Sequence, residues 1–270
     1  MNICLIGCGK MGSSLIEGWL SLKEIKHISV IEPNLAKIQK KKLNNKNFNF
    51  YEKLEDVDRS IFFDVTILAV KPQIMEAVLN QLLILNFRSN AWISVAAGLK
   101  VKFYERILGN NEQIIRTIPN TPASVRKGVT AIHFNKNCRK NIINASILVM
   151  KTVGEVVIVD NEDMMDAYTA VSGSGPAYYF YFVEAIINAA KELGIDEQNA
   201  KILAEKTFIG SAHLLEKSDE EVQELRKAVT SPRGTTEAGL GILMEKDVFF
   251  NLTNQAIKKA QKRGKELGKS

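Results

Sequence analysis

Residues 7–12, GCGKMG, constrain the fold of this chain more than any other stretch. They follow the short apolar run NICLI (residues 2–6), which is typical of a buried strand, and they precede apolar positions at helical spacing. Glycines between a strand and a helix allow a tight turn, close approach of a pyrophosphate and close packing of the helix. The helix N-terminus adds free N–H groups and a partial positive charge. We therefore predict dinucleotide binding here, although a glycine-rich turn without a ligand is an alternative. The predicted contact residues are Gly7, Cys8, Gly9, Lys10, Met11 and Gly12.

Strand-like and helical segments alternate along the first half of the chain. The runs FFDVTILAV (62–70) and AWISVAAG (91–98) are continuously apolar, as expected for parallel strands covered on both faces. This alternation predicts right-handed βαβ units and a Rossmann-like, doubly wound α/β sheet. After about residue 160 only helical patterns remain. We predict a dinucleotide-binding domain at 1–158 and an all-α domain at 159–270.

Composition excludes several other classes of protein. The chain has 270 residues, of which 46% are hydrophobic and 24% charged, and a net charge of +6. It contains no apolar run of about 18 residues and no leader pattern, so we expect no membrane span and no signal peptide. Cys4, Cys8 and Cys138 lack metal-ligand spacing, which favours reduced thiols in a cytoplasmic protein without a bound metal. The basic stretches 37–46 and 257–269 are interpreted as solvated faces rather than nucleic-acid sites.

An acidic residue ends the second predicted strand. Glu32 lies 20 residues after Gly12, where a carboxylate can accept hydrogen bonds from both ribose hydroxyls and repel a 2′-phosphate. This position favours NADH, while Lys37 nearby would soften the repulsion and leaves NADPH open. A surface glutamate before the Pro33–Asn34 turn is the structural alternative.

Three further strand ends are predicted at the nicotinamide side of the cofactor. Small residues at the ends of parallel strands leave space for a ligand, and both AVKP (69–72) and SVAAG (94–98) have this character. The turn IPNTPAS (118–124) is held between two prolines and could direct an amide to the cofactor, or serve only as a turn. The predicted residues are Ala69, Val70, Lys71, Pro72, Ala96, Ala97, Gly98 and Asn120.

The helical half is interrupted twice by small and hydroxyl residues. In SGSGPAY (172–178), Ser174 is expected to cap a helix that restarts at Pro176, and the glycines could form an N–H nest for a carboxylate. In VTSPRGTTEAGL (229–240), three hydroxyl residues accompany a helix start that needs only one cap. The chain also lacks histidine pairs at catalytic or metal-ligand spacing. Hydride transfer to a protonated C=N bond fits this absence, because the cofactor supplies the difficult step.

Taken in order, GCGKMG, AVKP, SVAAG, NTPA, SGSGPAY and TSP-GTT span nearly the whole chain and resemble the pyrroline-5-carboxylate reductase family. The resemblance implies a Rossmann domain, a helical domain that interlocks with a partner subunit, and reduction of 1-pyrroline-5-carboxylate to L-proline with NADH or NADPH, the last step of proline synthesis. It implies a homodimer or larger homo-oligomer. The apolar faces of the helical half independently predict an obligate dimer.

The resemblance also implies roles for individual residues. Thr236 matches the proton donor or imine-nitrogen partner, and the substrate-binding residues are Glu162, Ser172, Gly173, Ser174, Gly175, Ser231, Gly234 and Thr235. The chain departs from the family pattern at Arg233, where a glycine is common, and in the turn 219–222.

Two other functions are compatible with parts of the sequence. Another imine reductase or a β-hydroxyacid dehydrogenase-like enzyme would share the cofactor domain, with Lys191 as the candidate acid/base of the latter. A non-catalytic cofactor-sensing or nucleic-acid-binding protein would rely on the basic stretch 257–269.

Overall fold

The computed structural model describes residues 1–34 and 48–268, which form two compact units. The first unit comprises Met1–Ser174 and Ala260–Ser270, and the second comprises Gly175–Lys259. The basic stretch 37–46, which includes Lys37, and the last residue of the stretch 257–269 lie outside the described residues.

Within the described residues, the first unit is built on an eight-stranded sheet. Its order is β3-β2-β1-β4-β5-β6-β7-β8. The strands are β1 (Asn2–Ile6), β2 (His27–Ile31), β3 (Phe48–Tyr51), β4 (Val65–Leu68), β5 (Trp92–Ser94), β6 (Ile114–Ile118), β7 (Gly128–Phe134) and β8 (Gly154–Ile158). The helices of this unit are α1 (Lys10–Trp19), α2 (Pro72–Ile84), α3 (Val101–Leu108), α4 (Lys140–Lys151) and α5 (Met165–Tyr168). The predicted doubly wound α/β fold is confirmed.

The sheet is covered on both faces, as its apolar strands predict. Ile3 and Leu5 of β1 belong to a core with residues of α1 and α4, whereas Cys4 and Ile6 belong to a second core with residues of α2 and α3. Successive residues of a strand point to opposite faces, so one continuous apolar run supplies both cores.

One pairing departs from the parallel pattern. Among the described strands, β6 and β7 pair antiparallel, while the other six pairings are parallel. Only residues 119–127 join β6 to β7, and they form a 3₁₀ turn at Thr121–Val125. A parallel crossover needs about a dozen residues or more, so this short connection dictates a reversal of direction.

The second unit is helical and exposes large apolar side chains. Its helices are α6 (Gly175–Glu192), α7 (Glu197–Lys217), α8 (Val222–Ala228) and α9 (Thr235–Met244), followed by the start of α10 (Val248–Leu267). In the single chain Tyr181, Ile242 and Phe250 are 71%, 70% and 67% exposed. Exposed apolar residues at this density mark a surface that another protein covers. None of the described helices combines the length and apolar character that a bilayer crossing requires.

Candidate active site

A cleft of about 760 Å³ opens where β1, β2 and β4 end at the same edge of the sheet. Ligands of doubly wound sheets bind at this edge. The structure brings several predicted cofactor residues together here. They are Gly7, Gly9, Glu32, Ala69, Val70 and Lys71.

The glycine turn has the geometry that a phosphate-binding turn requires. Gly7 has a φ of +93°, and a Cβ built on it would lie 2.8 Å from the carbonyl oxygen of Ala69. A Cβ on Gly12 would lie 2.5 Å from the carbonyl oxygen of Gly7, so helix α1 packs directly on the turn. Both positions therefore exclude a side chain on steric grounds.

Gly9 differs from these two glycines. It is the N-cap of α1, and apart from its neighbours no described heavy atom lies within 4 Å of a Cβ placed there. No side chain of the described residues caps this helix start. The first-turn N–H groups of Lys10, Met11 and Gly12 therefore lack an intrahelical partner and suit a pyrophosphate.

The carboxylate of Glu32 is fixed beside this turn. Its Oε2 accepts a hydrogen bond from the Cys8 N–H at 2.8 Å, and its Oε1 accepts one from the Asn34 N–H at 3.1 Å. The Cys8 side chain is buried, and this burial raises the pKa of its thiol; the nearby Glu32 charge adds to the rise, while a hydrogen bond with Ser13 opposes it. The Cys8 thiol is therefore protonated at neutral pH, and the Glu32 carboxylate beside it lines the cleft.

The cleft also contains residues that the sequence patterns did not indicate. Some of them come from the segment after β3. Others lie on one face of α2, where they recur at helical spacing. These additional residues are Ile6, Ile31, Pro33, Glu52, Lys53, Leu54, Glu55, Ile74, Val78 and Gln81. The parallel direction of β3 is the signal that could have found the first group, because its carboxyl end meets the same edge as β1 and β2.

The predicted residues 96–98 are not part of this cleft lining. Ala96 is buried, Ala97 is exposed, and Gly98 has a φ of +85°. A Cβ on Gly98 would lie 3.5 Å from the Cβ of Leu267. The end of α10 therefore packs on the loop that follows β5. Pro72 begins α2 next to the lining residue Lys71.

The Asn120 amide is engaged on both sides. Its Nδ2 donates to the carbonyl of Ser172 at 3.1 Å, and its Oδ1 accepts from the Val129 N–H at 2.9 Å. Asn120 therefore ties the turn after β6 to the segment around Ser172. One amide hydrogen remains for a further partner.

The predicted helix break and N-cap at Ser174 are wrong. Residues Thr169–Gly173 form a π-helical turn, and Ser174 itself has helical dihedral angles, φ −84° and ψ −22°. The Ser174 N–H donates to the Thr169 carbonyl at 2.9 Å, and the Ser172 hydroxyl donates to the Tyr168 carbonyl at 2.9 Å. The wide turn absorbs the small residues without ending the helix. The Ser174 N–H is consequently not free for a carboxylate. Gly173 lies in this turn, and Gly175 begins α6.

The second hydroxyl-rich stretch does break the helix. Helix α8 ends at Ala228 and α9 begins at Thr235, with Gly234 as its N-cap and no side-chain cap among the described residues. The Gly234 N–H donates to the Ser231 carbonyl at 3.0 Å. Because capping uses none of the hydroxyls, those of Thr235 and Thr236, both exposed in the single chain, are free for another role.

Arg233 lies in this break with a left-handed backbone. Its φ is +58°, and its N–H donates to Oε2 of Glu237 at 2.6 Å. Glycine adopts this conformation with less strain than arginine does.

Glu162 lies in the first unit, in a buried ion cluster. Its Oε1 accepts from the Val101 N–H at 2.7 Å and from Nη1 of Arg116 at 3.1 Å. The structure thus gives this predicted substrate-binding carboxylate two internal partners.

Comparisons with known proteins place these features in a family. Residues 162–267 match the family described as "Pyrroline-5-carboxylate reductase dimerisation", and residues 2–98 match "NADP oxidoreductase coenzyme F420-dependent". The pyrroline-5-carboxylate reductase of Pseudomonas aeruginosa is 33% identical over 266 residues, which are 98% of this chain and 96% of that protein. The chain belongs to the pyrroline-5-carboxylate reductase family.

Solved structures agree with this membership. A pyrroline-5-carboxylate reductase from Coxiella burnetii has a TM-score of 0.89 at 33% identity, covering 100% of this chain and 99% of its own. The Plasmodium falciparum enzyme with NADP bound has a TM-score of 0.81 at 30% identity, covering 99% and 98%. This chain is therefore an NAD(P)-binding oxidoreductase that reduces 1-pyrroline-5-carboxylate to L-proline, the final step of proline biosynthesis. The dimerisation match explains the exposed apolar helices as the contact surface of a homo-oligomer.

Proposed function

We propose that the cleft of the first unit holds the dinucleotide and that the broken-helix segment of the second unit holds the cyclic imine. The observation that carries the first part is the uncapped start of α1 beside Gly9, with the Glu32 carboxylate fixed next to it. When bound, NAD(P)H supplies the hydride that reduces the C=N bond. The residues of the chain bind and orient the two molecules and supply a hydrogen bond to nitrogen.

On the cofactor side, the proposed contacts follow the predicted residues. The N–H groups of residues 10–12 hold the pyrophosphate, and Glu32 accepts hydrogen bonds from the ribose. The nicotinamide half of the cofactor is surrounded by residues 69–72, residues 96–98 and the amide of Asn120. The free amide hydrogen of Asn120 supports its part in this arrangement.

On the substrate side, the segment 231–236 carries the proposed contacts. Ser231 and Thr235 bind the carboxylate through their hydroxyl groups and the Thr235 N–H, because the start of a helix favours an anion. Gly234, whose N–H is bonded to the Ser231 carbonyl, forms the turn that presents these groups. The Thr236 hydroxyl donates a hydrogen bond to the ring nitrogen of the imine while this nitrogen is protonated. The family resemblance also assigns residues 172–175 to the substrate, whereas the two internal hydrogen bonds of Glu162 favour a positioning role for its carboxylate.

Thr236→Ala tests the assignment of the proton-donating group. We expect kcat to fall on the order of 100-fold, a typical loss for general acid catalysis, with the midpoint of thermal unfolding unchanged. Thr236→Ser retains a hydroxyl and is the matched control, expected to keep most of the activity. Turnover of Thr236→Ala close to that of the wild type would remove the role from this residue.

We propose a preference for NADH over NADPH. A fixed carboxylate beside the ribose repels a 2′-phosphate, since two like charges in a partly buried site interact by about 1 kcal/mol or more. The value of kcat/KM should therefore be about tenfold higher with NADH than with NADPH, and Glu32→Gln should abolish this preference. Glu52→Gln, which changes another carboxylate of the same cleft, should leave it unchanged. A wild-type enzyme that prefers NADPH would refute the proposal.

The domain boundaries, the oligomeric state and the cellular location are also proposals. We propose a cofactor domain at 1–158, a substrate-binding and dimerisation domain at 159–270, and at least a homodimer. A cytoplasmic location is supported by Cys4, Cys8 and Cys138, which form no disulfide among the described residues.

A further inference from the structure

A charged cluster lies inside the first unit, on a strand that is otherwise buried and mostly apolar. Arg116, in the middle of β6, has a side chain only 1% exposed. Its Nη1 lies 3.1 Å from Oε1 of Glu162, and its Nη2 lies 3.3 Å from Oδ1 of Asp166. The side chains of these carboxylates are 20% and 8% exposed. One guanidinium therefore holds two carboxylates that follow it by 46 and 50 residues.

Stability alone does not explain an arginine at this place. Its Nε is buried and has no hydrogen-bond partner among the described residues. Taking a guanidinium and two carboxylates out of water costs free energy that the ion pairs regain only when every polar atom is paired. An apolar residue like its neighbours Ile114, Ile115 and Ile118 would fill the strand without this cost.

The cluster connects two segments proposed to line the reaction site. Oε1 of Glu162, besides binding Arg116, accepts the N–H of Val101, the first residue of α3. Val101 follows the loop that contains Gly98, on the nicotinamide side. Thus the carboxylate of Glu162 fixes the end of this loop to β6.

The second carboxylate leads to the other segment. Asp166 lies in α5, which continues directly into the π-helical turn with Ser172. The same strand reaches this turn a second time, because Asn120, just beyond β6, donates to the Ser172 carbonyl. Strand β6 and the turn after it therefore fix both the loop before α3 and the turn before α6.

We propose that Arg116 is a positioning residue for hydride transfer. Through Glu162 it sets the loop around Gly98, and through Asp166 it sets the turn around Ser172, so the cofactor ring and the imine meet at the right distance. In this arrangement Glu162 orients backbone and does not bind substrate. The inference rests on the proposed placement of the nicotinamide beside residues 96–98.

Two neighbouring carboxylates of one 3₁₀ turn provide a matched test. Glu162→Gln removes a charge from the buried cluster. Asp163→Asn removes a charge from an exposed ion pair, in which Oδ1 of Asp163 lies 2.9 Å from Nζ of Lys100. This pair also joins the 3₁₀ turn to the loop before α3. The full-length oligomer of each variant, and of Arg116→Lys, is assayed for kcat, KM, the NADH dissociation constant and the isotope effect with 4-deuterated NADH. Thermal unfolding reports whether each variant is folded.

We expect Glu162→Gln and Arg116→Lys to lower kcat by about tenfold or more, because small misplacements of reacting groups are costly. The NADH dissociation constant should change by less than about twofold, since the cluster lies outside the cleft, and the isotope effect on kcat should rise as hydride transfer becomes limiting. Asp163→Asn should match the wild type in all of these. Should Arg116→Lys fail to fold, Glu162→Gln carries the test.

Three results would overturn the inference. A raised KM for the imine with unchanged kcat in Glu162→Gln would make Glu162 a substrate ligand. Normal kcat per folded enzyme with lowered thermal stability would make the cluster purely structural. An equal loss of kcat in Asp163→Asn would show that any change in this 3₁₀ turn lowers activity, so the buried cluster would have no special role. Wild-type enzyme that fails to reduce 1-pyrroline-5-carboxylate would instead refute the proposed function, before any variant is compared.

Discussion

Two alanine substitutions in the glycine turn should have opposite consequences. At Gly12 a methyl group would lie 2.5 Å from the carbonyl oxygen of Gly7 and 3.4 Å from Cδ2 of Leu5, so helix α1 must move away from β1. Overpacking of this kind costs about 1–3 kcal/mol. For a chain of this size each kcal/mol lowers the midpoint of thermal unfolding by about 2–4 °C. Gly12→Ala should therefore unfold at a visibly lower temperature without cofactor.

At Gly9 the same methyl group meets no described atom within 4 Å. The backbone there has φ −71° and ψ −162°, which alanine adopts without strain. Alanine should leave the free energy of unfolding within about 1 kcal/mol of the wild type, because its restriction of the unfolded chain is offset by its poorer fit at an N-cap. The methyl group occupies space that a pyrophosphate needs, so NADH binding should weaken on the order of tenfold or more.

Thermal unfolding without cofactor and titration of NADH fluorescence separate the two effects. The expected pattern is a less stable Gly12→Ala protein and a stable Gly9→Ala protein that binds NADH poorly. If Gly9→Ala binds NADH as tightly as the wild type, the pyrophosphate does not contact this turn. If Gly12→Ala is as stable as the wild type, helix and turn are not in the close contact described.

Arg233→Gly should raise the free energy of unfolding by about 1 kcal/mol in chemical denaturation, because it relieves a left-handed backbone while the N–H bond to Glu237 remains; an unchanged value would contradict the strain. Burial raises the pKa of Tyr104 from 10.0 to about 12, so its phenolate absorbance should appear late in an alkaline titration. Since the folded pKa exceeds the unfolded one, this stabilisation is complete below pH 10.0 and is lost towards about pH 12. Burial also raises the pKa of the Cys138 thiol to about 11, so this thiol should react with disulfide reagents at neutral pH mainly after unfolding. Sedimentation at micromolar concentration should show a dimer or larger species, and a monomer would contradict the assignment of the apolar helical surface.

The fold could be predicted because alternating apolar runs and helical segments admit few topologies. The lengths of the strands could not. The run at 62–70 predicts one continuous strand, yet β4 covers only Val65–Leu68, and Phe62 is 40% exposed. Apolar character reports burial of a segment, whereas the ladder ends where its neighbouring strand ends. The reversal at β7 depends likewise on the length of a connection, which no hydrophobic pattern encodes.

The lining of the cleft in the first unit was partly predictable for a geometric reason. Parallel strands bring their carboxyl ends to one edge, so residues after β1, β2 and β4 had to converge even though they are distant in sequence. No comparable rule predicts the Arg116 cluster, because its carboxylates come from a later segment whose position depends on tertiary packing. A buried arginine in an apolar strand does signal that a partner exists, but it does not identify that partner.

The two hydroxyl-rich stretches of the helical half show why local composition misleads. Both combine glycine with serine or threonine, yet only the stretch 229–234 ends its helix. There Pro232 lacks an N–H, and Arg233 turns left-handed, so the i to i−4 ladder cannot continue. At 172–175 the Ser172 hydroxyl bonds back to the Tyr168 carbonyl, and the backbone widens into a π turn that keeps the helix intact. A proline and a left-handed residue therefore decide the outcome, and glycine with serine alone is insufficient to stop a helix.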